Sequence, residues 1–358
     1  MKVTDGTTYR MLQTNLGRIS TRLEDLRNQG ATGIKLSKPS DDPAAIRPVL
    51  TTRTQIRSTE RYLETMGISL DKMEATDGHL DHVENIMQRV QEITINAING
   101  ALSKPDMTVL ADEVNQMRQE LLDAANGMVD GKYIFSGYNE DVKPFIENPN
   151  YNPNPPTDPL NLNPPYDQAD STTWPYIYHG TPNPTELEIT PGEYLETNLT
   201  GNDLFMGINN NDMQLGGPTP PAVYASDTGR IDILSVLTRV EEALRAGKID
   251  DKTTINVPNP NGNVINGENN LQMQLENLDI AADQNRRLRS QLGNRASRVE
   301  TAMTHQEDVL IDLDQILSRY QDADAIETFA EITKQETAFQ AALSITAKVS
   351  QISILDYF

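Results

Sequence analysis

From Glu268 to Tyr320 one stripe of positions runs Leu271, Leu275, Leu278, Ala282, Asn285, Arg289, Leu292, Ala296, Val299, Met303, Gln306, Leu310, Leu313, Leu317 and Tyr320. The steps alternate four and three without a slip, and most stops are apolar. That alternation keeps one seam toward a partner and predicts a coiled-coil helix. No proline interrupts it. At about 1.5 Å per residue the helix is roughly 80 Å long. Its seam is narrow, so other helices must cover it.

The same stepping recurs near the N-terminus. Tyr9, Leu12, Leu16, Ile19, Leu23 and Leu26 predict a short helix closed by Gly30 and Gly33, with Arg10, Arg18, Arg22 and Arg27 on its polar face. A lone helix of this length is marginal in water and needs a partner. Ser40, Asp41, Asp42 and Pro43 start a second helix. Ser40 caps free N–H groups, the aspartates complement the dipole, and Pro43 suits the first turn. Its apolar stops run from Ile46 through Met66, Leu80 and Val90 to Ile93. A third helix carries Leu110, Val114, Met117, Leu121, Ala124 and Met128. A turn near Ser103–Asp106 folds these two into a hairpin suited to cover the long helix.

From Tyr138 the pattern changes. Fifteen of the 21 prolines lie between Pro144 and Pro221, which rules out helix over much of this stretch. Thr185 to Thr190 alternates with period two, and Pro191-Gly192 follows as a turn. These signals predict a small β-rich insert with long loops, its core anchored by Trp174. Helix resumes at Ile231, with Ile233, Leu237, Val240 and Leu244 on one face, and stops at Gly247. Asn256 to Asn270 reads as an Asn/Gly/Pro-rich connector.

After a break near Gln321–Asp324 the last segment differs in kind. Phe329, Ile332, Phe339 and Leu343 form one stripe, and Ala338, Ala342, Ile345, Val349 and Ile352 a second, with Leu355 close behind. From Ala338 to the end only Lys348 and Asp356 are charged. A helix apolar on two faces wants partners on both sides, and the N-terminal seam supplies one. The other face predicts assembly with neighbouring subunits. The expected architecture is mainly α: an elongated rod of long bundle helices with nested termini and a small β-rich insert. Residues 1–38 with 322–358 form a terminal coiled-coil assembly domain, 39–140 with 228–321 a helical rod, and 141–227 the insert.

Composition agrees with this picture. Six Phe and one Trp in 358 residues, with 37% hydrophobic content, suit elongated helices more than a large globular core. The net charge of −22 argues against nucleic acid and against anionic membrane surfaces. From Glu140 to Arg230 there are 13 acidic residues and 2 basic ones, half of the net charge. The absence of cysteine excludes disulfides and thiolate metal sites and fits export. No apolar run is long enough for a transmembrane helix, and Met1–Gln13 lacks a signal-peptide core. Taken alone this says cytoplasmic, with export by another route left open.

Several short stretches resemble the flagellin and hook-associated protein superfamily and, within it, the hook–filament junction type called hook-associated protein 3. They are Gly30 to Leu36 leading into Lys38-Pro39-Ser40-Asp41-Asp42-Pro43-Ala44, Asp130 to Gly137 with its Phe135 and Gly137, and Leu199 to Phe205. Asp322-Ala323-Asp324 and the closing Ser353 to Phe358 complete the set. The matches cover both ends and both borders of the insert. The resemblance implies an extracellular structural role as a ring between hook-associated protein 1 and flagellin. It also implies export by the flagellar type III apparatus with an export chaperone. The terminal helices would then order on assembly.

Leu12, Leu16, Ile19, Leu23 and Leu26 and the C-terminal stripes are therefore the candidate subunit contacts. No catalytic, cofactor or metal site is expected. His79 and His82 stand three apart on a helix, but the four-residue spacing with a neighbouring Glu that suits zinc is missing. Asn259 to Asn270 lacks the Asp spacing of a calcium loop. The alternatives are a flagellin-type filament subunit and an enzyme carried on the insert.

Overall fold

The computed structural model describes residues 2–36, 38–100, 102–151, 175–207, 230–249, 256–258, 264–266 and 270–355. Among them the fold is mainly α, with seven helices and four two-stranded antiparallel sheets. The helices are α1 (Lys2–Thr32), α2 (Pro43–Asn99), α3 (Lys104–Ala125), α4 (Gly201–Phe205), α5 (Ile233–Ala246), α6 (Leu271–Gln321) and α7 (Ala325–Leu355). The strand pairs are β1 (Met128–Val129) with β2 (Lys132–Tyr133), and β3 (Phe145–Glu147) with β4 (Tyr176–Tyr178). Next come β5 (Glu186–Thr190) with β6 (Glu193–Glu196), and β7 (Asn256–Pro258) with β8 (Val264–Asn266). The chain divides into two compact bodies, residues 1–61 with 305–358 and residues 62–304.

Local chemistry sets the element ends. Pro43 begins α2 as expected, but the cap is Asp42, whose Oδ1 accepts the N–H groups of Ala44 at 2.9 Å and Ala45 at 3.2 Å. Ser40 lies two residues upstream of this position and does not cap α2. At the start of α3, Asp106 Oδ2 accepts the Ser103 N–H at 3.2 Å and hydroxyl at 2.6 Å. Met128, expected on that helix, sits instead on β1, because α3 ends at Ala125 and the chain turns through Asp130 and Gly131, both at positive φ. Asp232 caps α5 by accepting the Ser235 N–H at 3.0 Å and hydroxyl at 2.7 Å, and Gly247 ends the helix at φ 70°. Such a left-handed stop favours glycine.

In the body of residues 62–304, the stripe predicted on α6 is buried where it was drawn. Leu271, Leu278, Ala282, Asn285, Leu292 and Val299 are inside, with Met66, Met73, Leu80, Val83, Met87 and Val90 of α2 in the same core. Asn285 Nδ2 donates to the Leu80 carbonyl of α2 at 3.1 Å. Beside it, Arg289 donates to both oxygens of Asp77 at 2.7 and 3.0 Å and to Asp81 at 2.8 Å. Helix α5 packs against α3, with Arg118 on Glu241 at 3.2 Å and Arg245 on Asp112 at 2.7 Å.

The period-two stretch forms the hairpin β5–β6, turning at Gly192 with φ 83°. Trp174 lies outside the described residues. The aromatic anchor seen is Phe145, whose ring centre is 5.3 Å from those of both Tyr178 and Phe205, with Phe135 also 5.3 Å from Phe205. The stretch read as a plain connector contains the hairpin β7–β8. With three residues per strand it is too short for an alternation signal.

Candidate assembly interface

In the body of residues 1–61 and 305–358, α1 and α7 pack along their lengths. The chain reaches α7 through a compact junction. Gly33 ends α1 at φ 70°, and the backbone of residues 33–36 then pairs with that of residues 321–323. Lys35 N–H donates to the Gln321 carbonyl at 2.7 Å, and Ala323 N–H to the Gly33 carbonyl at 2.8 Å. Asp324 restarts the helix, its Oδ1 accepting the N–H groups of Ile326 at 2.8 Å and Glu327 at 3.1 Å. The break predicted near Gln321–Asp324 is thus a capped turn.

The seam of α1 faces α7. Leu23 and Leu26 are buried, and Leu12, Leu16 and Ile19 are half-buried. Gly30 does not close the helix, which runs to Thr32. Its missing side chain lets α7 approach, with Ile332 Cδ1 and Thr328 Cγ2 at 3.3 and 3.6 Å from where a Cβ would stand. Arg27 Nη2 donates to Glu336 Oε1 at 2.7 Å across the same pair. Both side chains are largely exposed, so this pair contributes on the order of 0–1 kcal/mol.

On α7 the covered stripe is Thr328, Ile332, Gln335, Phe339, Ala342 and Thr346, again in four-three steps. It cuts across the two stripes read from sequence. Ile332, Phe339 and Ala342 are half-buried on it, while Phe329, Leu343 and Ile345 are 60%, 47% and 52% exposed. Thr328, Gln335 and Thr346 were missed because three of the six covered positions are polar. The side chains of Tyr9, Val349, Ile352 and Leu355 lie outside the described ones. The N-terminal arginines divide: Arg27 is paired, whereas Arg18 and Arg22 are exposed.

The stretches at the insert borders meet in the other body. The Phe135 carbonyl accepts the Gly201 N–H at 2.8 Å and the Tyr178 hydroxyl at 2.9 Å. Burial pushes the Tyr178 phenol well above its ordinary value. Gly137 has φ 70°, and a Cβ there would collide with the Thr181 carbonyl oxygen. Phe135 and Gly137 therefore serve the docking of the β hairpins onto the helices, a structural task. Near Ser40, Asp41 accepts the Lys38 N–H at 2.8 Å in the turn before Asp42 and Pro43.

No group of three or more metal-ligating side chains occurs among the described residues. His79 lies edge-on to Phe135, its ring centre 6.4 Å away. Burial, and then the neighbouring His82, lower its pKa. No described helix is long and apolar enough to cross a membrane.

Known proteins give the same reading of both ends. Residues 6–140 match the bacterial flagellin N-terminal helical region, and residues 275–358 match the bacterial flagellin C-terminal helical region. The chain is 32% identical over 145 residues to flagellar hook-associated protein 3 of Escherichia coli, covering 39% of this chain and 45% of that protein. It is 27% identical over 262 residues to flagellar hook-associated protein 3 of Salmonella typhimurium, covering 71% and 73%. The match thus spans less than half the length of the first relative and about three quarters of the second. A crystal structure of flagellar hook-associated protein 3 from Legionella pneumophila has a similar fold, with a TM-score of 0.53 at 17% identity, over 76% of this chain and 98% of that one.

Proposed function

This chain belongs to the flagellin family, and from that premise we propose that it is a structural subunit joining the flagellar hook to the filament. The observation that carries the proposal is the match to a hook-associated protein 3 over most of both chains. In this reading the copies form a ring, with hook-associated protein 1 on one side and flagellin on the other. The protein leaves the cell through the flagellar type III apparatus, attended by an export chaperone, and acts outside it. Leu12, Leu16, Ile19, Leu23 and Leu26 of α1 hold α7 of the same chain, and the residues that meet neighbouring subunits are Phe329, Leu343 and Ile345 on the open side of α7, with Val349, Ile352 and Leu355 read from sequence. The exposed Phe329, Leu343 and Ile345 support this, because a helix already covered on one side still offers a second apolar face. Residues 1–38 with 322–358 are then the assembly end, 39–140 with 228–321 the helical body, and 141–227 an outward insert. The role is architectural and asks for no catalysis.

A filament subunit is the second reading, favoured by the two matching regions being those of flagellin itself. A strain lacking the gene decides between them. Bare hooks with flagellin shed into the medium support the junction. Bare hooks with no filament protein in the medium support the filament subunit, and normal filaments contradict both.

A further inference from the structure

Two exposed aliphatic side chains in the body of residues 1–61 and 305–358 stand among charges of opposite sign. Leu50 on α2 is 56% exposed, and Ile311 on α6 is 57% exposed. At about 100° per residue, Arg47, Arg53, Arg57 and Arg61 all fall within about 60° of Leu50 around the helix. Glu307, Asp308 and Asp314 fall within about 60° of Ile311, and Asp312 about 100° from it. All eight charged residues are exposed. Neither Arg47, Arg53 and Arg57 nor the four carboxylates have an ion-pair partner among the described residues.

The wider charge follows the same division. Residues 1–61 hold eleven Lys and Arg against six Asp and Glu, while residues 305–358 hold three against ten. In a chain of net charge −22, the N-terminal arm is where an acidic surface is welcome. The sizes also fit. The basic strip runs about 21 Å along its helix and the acidic cluster about 10 Å, so the acids sit inside the strip.

We propose that the Leu50 face of one copy docks on the Ile311 face of the next copy. The inference rests on the reading of the chain as a self-assembling flagellar subunit, and it names a surface that joins copies. Leucine meets isoleucine at the centre, and arginine–carboxylate pairs close the rim, the arrangement of a specific protein contact. Because the two faces differ, the contact is head-to-tail, the kind that closes a ring or continues as a helix. Both complementary faces lie on one chain, which favours a second copy over an unrelated acidic partner.

The chain has no cysteine, so a disulfide reports a designed pair alone. In a strain lacking the gene, the Leu50→Cys/Ile311→Cys protein should restore filaments. Mild oxidation of its isolated flagella should give a ladder of cross-linked multimers, and either single variant only monomer. Restored filaments with monomer alone, or dimers from a single variant, overturn the contact. Charge exchange is a second test that leaves buried groups untouched. Arg53→Asp/Arg57→Asp and Asp308→Arg/Asp312→Arg should each leave hooks bare, and the four together should restore filaments. Full restoration by either pair alone, or no recovery with all four, overturns the contact. The junction reading fails separately, through normal filaments when the gene is absent.

Discussion

A Cβ added to Gly30 on α1 would stand 3.3 Å from the Cδ1 of Ile332 on α7. The contact is tight yet open enough for one methyl group if Ile332 gives slightly. Gly30→Ala gains about 1 kcal/mol of helix propensity, which offsets the crowding and leaves stability little changed. Gly30→Val adds branched bulk with no room to turn and should cost about 1–3 kcal/mol, loosening α1 from α7. Hydrogen exchange over residues 10–30 and 325–345 checks this. Unchanged protection in Gly30→Val would contradict the packing.

Gln284 holds the chain on both sides of the segment 208–229. Its Nε2 donates to the carbonyls of Leu204 at 2.6 Å and Ile231 at 3.0 Å, and its Oε1 accepts the Ile231 N–H at 2.9 Å. Gln284→Leu keeps the volume and strands three buried backbone groups. At about 1–3 kcal/mol for each group, the loss is on the order of 3 kcal/mol or more. Thermal unfolding should show it as a fall of at least several degrees, and a variant as stable as wild type would refute the clamp.

Arg289 on Asp77 and Asp81 fixes α6 against α2 with a planar fork. Lysine cannot reproduce the two parallel bonds to Asp77, so Arg289→Lys should cost about 1 kcal/mol. The site is partly exposed, so the difference should shrink at 1 M salt, where charges are screened over about 3 Å. Denaturant titrations at low and high salt measure it.

Sensitivity to rising pH follows from Glu242. Burial pushes its carboxyl above the ordinary value of 4.5, and the Tyr151 hydroxyl, donating at 3.0 Å, pulls it partly back. A carboxyl raised in the folded state stabilises the fold below its unfolded pKa. That stabilisation is lost as pH rises through the folded value. Wild type should therefore be strongest relative to Glu242→Gln near pH 4 and decline against it as pH rises above the ordinary carboxylate range. Tyr151→Phe should move the decline to higher pH. The opposite trend in melting temperatures would contradict the burial of Glu242.

Much of this architecture is written in apolar spacing. The stripe from Leu271 to Val299 and the apolar face from Leu12 to Leu26 are legible because burial along a helix repeats and repetition is visible, whereas the spacing does not say that the latter meets α7 of the same chain. Gly247 and Pro43 were equally plain, since each marks one backbone geometry. Other features depend on a partner distant in sequence. Gly30 read as a stop, and only Ile332 shows it to be a contact. Gln284 is one glutamine among many until Leu204 and Ile231 converge on it. The covered face of α7 was hidden because Thr328, Gln335 and Thr346 carry half of it. In a helix so apolar, polarity no longer tells covered from uncovered.

The proposed junction is tested most directly by imaging where the protein sits. Gold-labelled antibody against this chain, applied to intact flagella and viewed by electron microscopy, should mark one narrow band between hook and filament. Label spread along the filament would contradict the account and make the protein a filament subunit.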